Sequence, residues 1–366
     1  MEAKHAVWLS ERIGPATRTM DTLLKAFGSC GAVYAAEKSD LINAGVTNEK
    51  NLKLLLDKDT KTADETLARC ERLAIRVIPY ASEEYPQRLA NTYAPPALLY
   101  AQGEPLDADS RPLIAIVGTR DCTEYGRKAA YNVAGKLAAR GFCVVSGLAV
   151  GIDAAALAGA VRADGSTVGV LGCGLAKNYP AENFGLRRAM MKKGTVISEY
   201  APTSNISKGN FPLRNRIMAG ISVGTLIVEA PENSGALITA NYALEYGRDV
   251  FAVPGNINSY ESVGSNRLIR DGAVAVTDVD DIVREYVQLF PDVARKPAKR
   301  EKPASVPDSE LTEKERRVLS ALSQEPTSLD EIIIKTGMNV QELLSLLSIL
   351  EIKGKCVSHP MKKFSL

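Results

Sequence analysis

Five short segments carry residue types that can hold an anion. The first, Gly118-Thr119-Arg120-Asp121-Cys122-Thr123, combines a glycine for a sharp turn, an arginine, and a threonine suited to cap a helix. A helix N-terminus offers unpaired N–H groups and the positive end of its dipole, which suits phosphate; a guanidinium adds a two-pronged charged partner. The second, Ser146-Gly147-Leu148-Ala149-Val150-Gly151-Ile152-Asp153, is another glycine-bordered turn. Asp153 reads as a carboxylate favouring a helix N-terminus, with a catalytic carboxylate as the other reading. The third, Gly172-Cys173-Gly174-Leu175-Ala176-Lys177-Asn178-Tyr179-Pro180, has two glycines that permit close backbone approach to a ligand. Lys177 supplies charge there, and Tyr179 either stacks on a base or packs inward. The fourth, Phe211-Pro212-Leu213-Arg214-Asn215-Arg216, sets two arginines and an asparagine beside an aromatic ring. Arginine on phosphate beside a ring stacked on a base is common in grooves for single-stranded nucleic acid. An internal salt-bridge network is the competing reading of the same residues. In the fifth, Pro231 to Thr239, Ser234 caps a helix and leaves amides near Gly235 for one more phosphate.

The same residues exclude several chemistries. None of these turns reads G-x-G-x-x-G, so a dinucleotide site loses its main support, and no glycine-rich phosphate loop ending in Gly-Lys-Ser/Thr occurs. The two histidines, His5 and His359, lie near the two ends, which removes a histidine base or a histidine-held metal from the middle of the chain. The six cysteines are scattered, form no C-x-x-C, and read as reduced thiols of a cytosolic protein. We therefore expect no catalytic group, metal or cofactor. No apolar run approaches the roughly 20 residues of a membrane span, and the first residues lack the apolar core of a signal peptide. A cytoplasmic location without membrane contact is expected. The net charge is only +2, so affinity for a polyanion must come from clustering. Acids nearly balance bases in the middle of the chain. Cations at the turns then imply a positive pocket on a neutral body. That requires Arg120, Lys177, Arg214 and Arg216 to converge at one rim, unclaimed by carboxylates.

The elements that must position these turns are legible as alternating patterns. Residues 107–290 alternate apolar runs (Leu113–Gly118, Phe142–Gly147, Thr167–Gly172, Thr195–Tyr200, Gly224–Ala230, Val250–Gly255, Ala273–Thr277) with amphipathic segments such as Thr123–Arg140, Ile152–Ala163 and Ser234–Tyr246. Continuous apolar strands joined by helices predict an extended Rossmann-like, doubly wound, mainly parallel α/β sheet, with ligands at the carboxyl ends of its strands. Residues 1–64 show helical spacing (Met20, Leu23, Leu24, Phe27), with Gly28 and Gly31 ending that helix, and predict a small bundle resembling SAM or helix-hairpin-helix domains. Residues 65–106 read as a connector with one short strand at Ile75–Ile78. Residues 291–308 are basic and proline-rich and read as a solvated linker. Residues 309–366 give three helices and a hairpin, a winged helix. Its third helix, from Asn339, carries Gln341, Glu342, Ser345, Ser348 and Glu351 but no cation before Lys353. A major-groove reader needs cations and amides, so protein contacts or self-association are expected there rather than duplex binding.

The ordered set Ile116-Val117-Gly118-Thr119-Arg120, Ser146-Gly147-Leu148-Ala149-x-Gly151-Ile152-Asp153, Gly172-x-Gly174, Tyr179-Pro180, Ser198-Glu199-Tyr200, Phe211-Pro212-x-Arg214-Asn215-Arg216, Glu229-Ala230, Ser234-Gly235-x-Leu237-Ile238-Thr239 and Asp249–Gly255 resembles the DNA-processing protein A (DprA/Smf) family. Tyr85-Pro86 and Pro95-Pro96 fit as well. The resemblance implies a cytosolic protein that binds incoming single-stranded DNA in natural transformation, shields it, helps load the RecA recombinase, and dimerises through the Rossmann-like domain. It places a phosphate-binding arginine at Arg120 and a pocket lining at Phe211 to Arg216. The chain departs from the family's common pattern at Val150, Leu157 and Ala181, where many relatives carry lysine, histidine and a basic residue; one DNA contact that the resemblance implies is missing, and either Lys177 compensates for it or the affinity is lower.

Two other functions compete. Nucleotide phosphoribohydrolases of the lysine-decarboxylase-like class share such a fold, but their P-G-G-x-G-T-x-x-E motif is absent; the corresponding loop is Pro231-Glu232-Asn233-Ser234-Gly235. A scaffold that senses a small nucleotide is the other, and it predicts saturable mononucleotide binding.

Overall fold

Residues 1–294, 311–323, 327–352, 355–359 and 363–365 are described by the computed structural model. They fall into two units, Met1–Lys296 and Pro297–Leu366. The expected linker lies outside the described residues from position 295 on; Pro291–Ala294 is a short 3-10 turn.

The first unit is built on one nine-stranded sheet. Its strands are β1 (Arg76–Pro79), β2 (Leu98–Gly103), β3 (Leu113–Val117), β4 (Cys143–Ser146), β5 (Thr167–Leu171), β6 (Thr195–Ser198), β7 (Gly224–Ile227), β8 (Asp249–Ala252) and β9 (Val274–Ala275). The spatial order is β1-β2-β6-β5-β4-β3-β7-β8-β9. From β6 to β9 every neighbouring pair is parallel. The chain winds outward from β3 to β6, then restarts on the other side at β7. The winding reverses between β3 and β7, and in a doubly wound sheet the loops diverge there and leave a crevice.

All seven expected strands form, each slightly shorter than its apolar run. They are apolar throughout because helices cover both faces. On β3, Ile114 and Ile116 join one core while Leu113, Ala115 and Val117 join the other. Helices Glu124–Ala139 and Ile152–Arg162 lie over the first face and meet at backbone distance. A Cβ on Gly159 would overlap the carbonyl oxygen of Tyr131. Helices Asn210–Ile221 and Gly235–Glu245 cover the second face.

The segment read as a connector contributes more than one strand. The Ile75–Ile78 run forms β1, but Leu98–Gly103, unforeseen, forms β2, which pairs antiparallel with both β1 and β6. The boundary drawn at 64/65 falls inside helix Lys61–Arg72. The N-terminal helices pack into the same apolar cluster as β2 and β6, through Trp8, Leu24, Leu98, Tyr100 and Val196. Gly28 ends its helix in the left-handed conformation, φ 72°. Gly31 does not: it lies in the next helix, Cys30–Ala35, and its N–H donates to the Glu2 carboxylate at 3.0 Å.

The second unit has helices Glu313–Ala321, Leu329–Thr336 and Val340–Ile352 with a three-stranded sheet of Thr327–Ser328, Val357–His359 and Lys363–Ser365. Thr312 and Glu315 form a reciprocal capping box at its start. In the third helix Glu342 pairs with Lys314 at 2.5 Å. The side chains of Gln341, Ser345, Ser348 and Glu351 lie outside the described residues.

Candidate functional site

A cavity of about 370 Å³ opens at the carboxyl ends of β3 and β7, where the winding reverses. Val117 to Arg120 form one wall, Pro231 and Asn233 to Ala236 another, and Phe211, Arg214 and Asn215 the floor. A smaller recess of about 40 Å³ continues past Phe211 to Gly147, Gly172, Tyr179 and Pro180.

Arg120 is exposed, and its guanidinium carbon stands 5.5 Å from the centre of the Phe211 ring. Among the described residues no carboxylate pairs with it. Tyr179 also packs near this ring, its centroid 5.6 Å from that of Phe211 and tilted by 39°. Ser234 accepts from the Ala236 N–H and caps helix Gly235–Glu245. No neighbour approaches the open side of Gly235. Exposed guanidinium, ring face and helix start therefore share one rim.

The two other arginines are spent on the protein itself. The Phe211–Arg216 segment is not a loop but the first turns of helix Asn210–Ile221, which turns its arginines inward. Arg214 is 5 % exposed; it donates to the carbonyls of Gly147 (2.8 Å) and Val170, and to the Asn215 amide oxygen at 3.1 Å. Burial pulls its pKa down, against the nearby Asp153. Arg216 is 2 % exposed and donates through one nitrogen to both oxygens of Glu199, each at 2.6 Å. Burial pushes the Glu199 carboxyl up despite that partner. The salt-bridge reading therefore holds for Arg216, and four free cations do not converge. Lys177 lines neither recess; its carbonyl accepts from Arg187 at 3.0 Å. Asn215 donates to the Gly235 carbonyl at 3.2 Å and ties the floor to the far wall.

The remaining expected residues serve geometry. Ser146 is fully buried and donates to the Ile116 carbonyl at 2.6 Å, stitching β4 to β3. Thr119 donates its N–H to the Glu229 carbonyl at 2.8 Å. A Cβ on Gly118 would lie 2.6 Å from Ile152, one on Gly147 2.5 Å from the Arg214 guanidinium, and one on Gly172 2.9 Å from Phe211. Those glycines make room for protein, not for a ligand. Gly174 is confined likewise, since a Cβ there would overlap the Pro202 carbonyl.

Two anion slots are filled from within. The Asp153 carboxylate accepts from the Gly147 N–H at 3.0 Å, and burial raises its pKa. The structural reading of Asp153 fits this placement. Glu229, 1 % exposed, occupies the start of helix Glu124–Ala139, where a phosphate was expected. Sequence reasoning also missed Asn233 and Tyr260 as lining residues; Tyr260 is 64 % exposed, from the loop after β8. A tyrosine in a segment rich in glycine and asparagine was the available sequence signal.

Among the described residues no three histidine, cysteine or acidic side chains group to hold a metal, and no helix is long and apolar enough to cross a membrane. The sheet, the crevice and one exposed arginine at its rim define a Rossmann-like protein with a cleft where the winding reverses. Residues 76–287 match the family described as DNA recombination-mediator protein A, and residues 302–360 match the DprA winged helix domain. The chain belongs to the DprA/Smf family. It is 41% identical over 219 residues to DNA processing protein DprA of Bacillus subtilis, covering 60% of this chain and 74% of that protein. The X-ray structure of DNA processing protein A from Streptococcus pneumoniae superposes with a TM-score of 0.67 at 33% identity, over 76% of this chain and 97% of that one. That of the Helicobacter pylori protein, described for its unique single-stranded DNA binding mode, gives 0.53 at 28% identity, over 58% and 96%.

Proposed function

We propose that this protein binds single-stranded DNA without sequence preference at the β3/β7 rim, and that it is not an enzyme. The expected cluster of four free cations does not form, and one observation carries the reading in its place: an exposed Arg120, with no carboxylate partner among the described residues, held over the face of Phe211 beside an open helix start. A guanidinium takes a phosphate from any nucleotide, and a ring face takes any base, so the pair grips a strand without reading it. The buried Arg214, bonded through Nε and Nη1, and Asn215, bonded to the far wall, hold the floor in place, which lowers the ordering cost of binding. The Helicobacter pylori relative supports the choice of ligand.

Against an enzyme stands the position of Glu229, the carboxylate a glycosidic-bond hydrolase would enlist. It is buried and committed to Thr123. From the family we extend the proposal to shielding of incoming DNA in natural transformation, assistance to RecA loading, dimerisation through the Rossmann-like domain, and a cytoplasmic location.

An oligo-dT length series tests the reading. Affinity should rise with length and fall with salt by about 0.7 log units per log unit of salt for each phosphate neutralised. Arg120→Glu should abolish binding at about 0.15 M salt, the physiological ionic strength, while thermal unfolding stays unchanged, since the side chain faces solvent. Saturable mononucleotide binding without length dependence would instead favour a nucleotide-sensing scaffold.

A further inference from the structure

Glu229 follows β7, directly beside the turn that carries Arg120. It holds that turn at both ends. Its main-chain carbonyl accepts from the Thr119 N–H at 2.8 Å. Its carboxylate accepts from the Thr123 N–H at 2.9 Å and the Thr123 hydroxyl at 2.5 Å. Only Arg120, Asp121 and Cys122 lie between these anchors. The carboxylate also presses on the start of helix Glu124–Ala139: a Cβ on Gly126 would overlap its oxygen. An anion there is favoured by the helix dipole and the unpaired amides. The protein thus fills with its own carboxylate the slot that its sequence offers to phosphate.

We propose that Glu229 is a positioning residue for Arg120. It pins the turn on either side of the arginine, so that the guanidinium stays over Phe211. It also bars phosphate from the neighbouring helix start and leaves the arginine and the Ser234–Gly235 end as the places where a strand can be held. A carboxylate that accepts two bonds from one threonine has a geometric role that a neutral amide does not reproduce. In Glu229→Gln the amide would turn an N–H toward the donors of Thr123 or give up one of the two bonds.

The inference rests on the single-strand reading, and the test separates the two. Amide hydrogen exchange on the full chain, without DNA, reads the clamp directly. In Glu229→Gln, exchange at residues 119–123 should accelerate roughly tenfold or more while the β3, β4 and β7 amides keep their protection. Thr123→Val should do the same, and Thr123→Ser, which keeps the hydroxyl donor, should retain slow exchange. The second arm is oligo-dT binding in a double-mutant cycle. Glu229→Gln should weaken binding about tenfold in the native background and have no further effect once Arg120 is alanine. Unchanged exchange at 119–123, or losses that multiply in the double variant, overturns the proposal. If Arg120→Ala leaves oligo-dT binding intact, the single-strand reading falls; the exchange arm then decides alone whether Glu229 clamps the turn.

Discussion

Arg120 and Arg216 were both read as cations for DNA, and they have opposite fates. Arg120 is exposed on a turn, faces an aromatic ring, and has no carboxylate partner among the described residues. Arg216 is 2 % exposed on a helix and holds both oxygens of Glu199. The difference lies in the element beneath each. A turn at the end of β3 presents its side chains to solvent, while helix Asn210–Ile221 packs its arginines against β5 and β6. The three arginines therefore divide into one exposed at the crevice rim, one buried in its floor and one locked in a buried ion pair.

The comparison breaks most sharply through stability. Arg216→Ala should lower unfolding stability by about 3–5 kcal/mol, because Glu199 is left charged, buried and alone. A denaturant titration that moves by under about 1 kcal/mol would place Arg216 among the surface cations after all. Replacing the pair together, Arg216→Met with Glu199→Leu, should recover most of the loss. Among the described residues two guanidinium nitrogens of Arg216, Nε and Nη1, have no hydrogen-bond partner, so little is forfeited.

A smaller effect is expected at the ring beneath Arg120. Phe211→Ala should weaken oligo-dT binding by about 1–3 kcal/mol, the usual contribution of one base stacked on one ring. Loss of binding with an unchanged salt slope would separate stacking from charge; a changed slope would show that the ring acts by holding Arg120.

The smallest effect concerns Cys122, which sits beside Arg120. It is half-buried, whereas the other five cysteines are buried. Burial, then the charge of Glu229, keeps its thiol pKa up, while burial pushes Cys143 up to about 12. A neutral alkylating reagent at neutral pH should label one cysteine in the folded chain, slowly, and bound oligo-dT should slow it further. Labelling of several cysteines would mean that the turn and the core open together.

The strands and the crevice were legible because each depends on local sequence. An apolar run covered on both faces, such as Leu113–Val117, announces itself. So does a glycine turn before a helix. β2 was not legible, since Leu98–Gly103 follows two prolines and has no helix after it. Its pairing with β6 depends on residues far along the chain, such as Ser198 opposite Tyr100. The fates of Arg214 and Arg216 were hidden for the same reason. Their partners, the carbonyls of Gly147 and Val170 and the carboxylate of Glu199, meet them only after the sheet has formed. Glu229 was invisible as an anchor because a glutamate at a strand end has no pattern of its own.

The contact between Gly159 and the Tyr131 carbonyl has a mechanical consequence. Two helices with main chains touching cannot slide past each other without steric overlap. The face of the sheet they cover must then move as a single plate. Under the proposed single-strand binding, any give at the crevice comes from the opposite bank, from Pro231 to Gly235 and the segment that bears Tyr260.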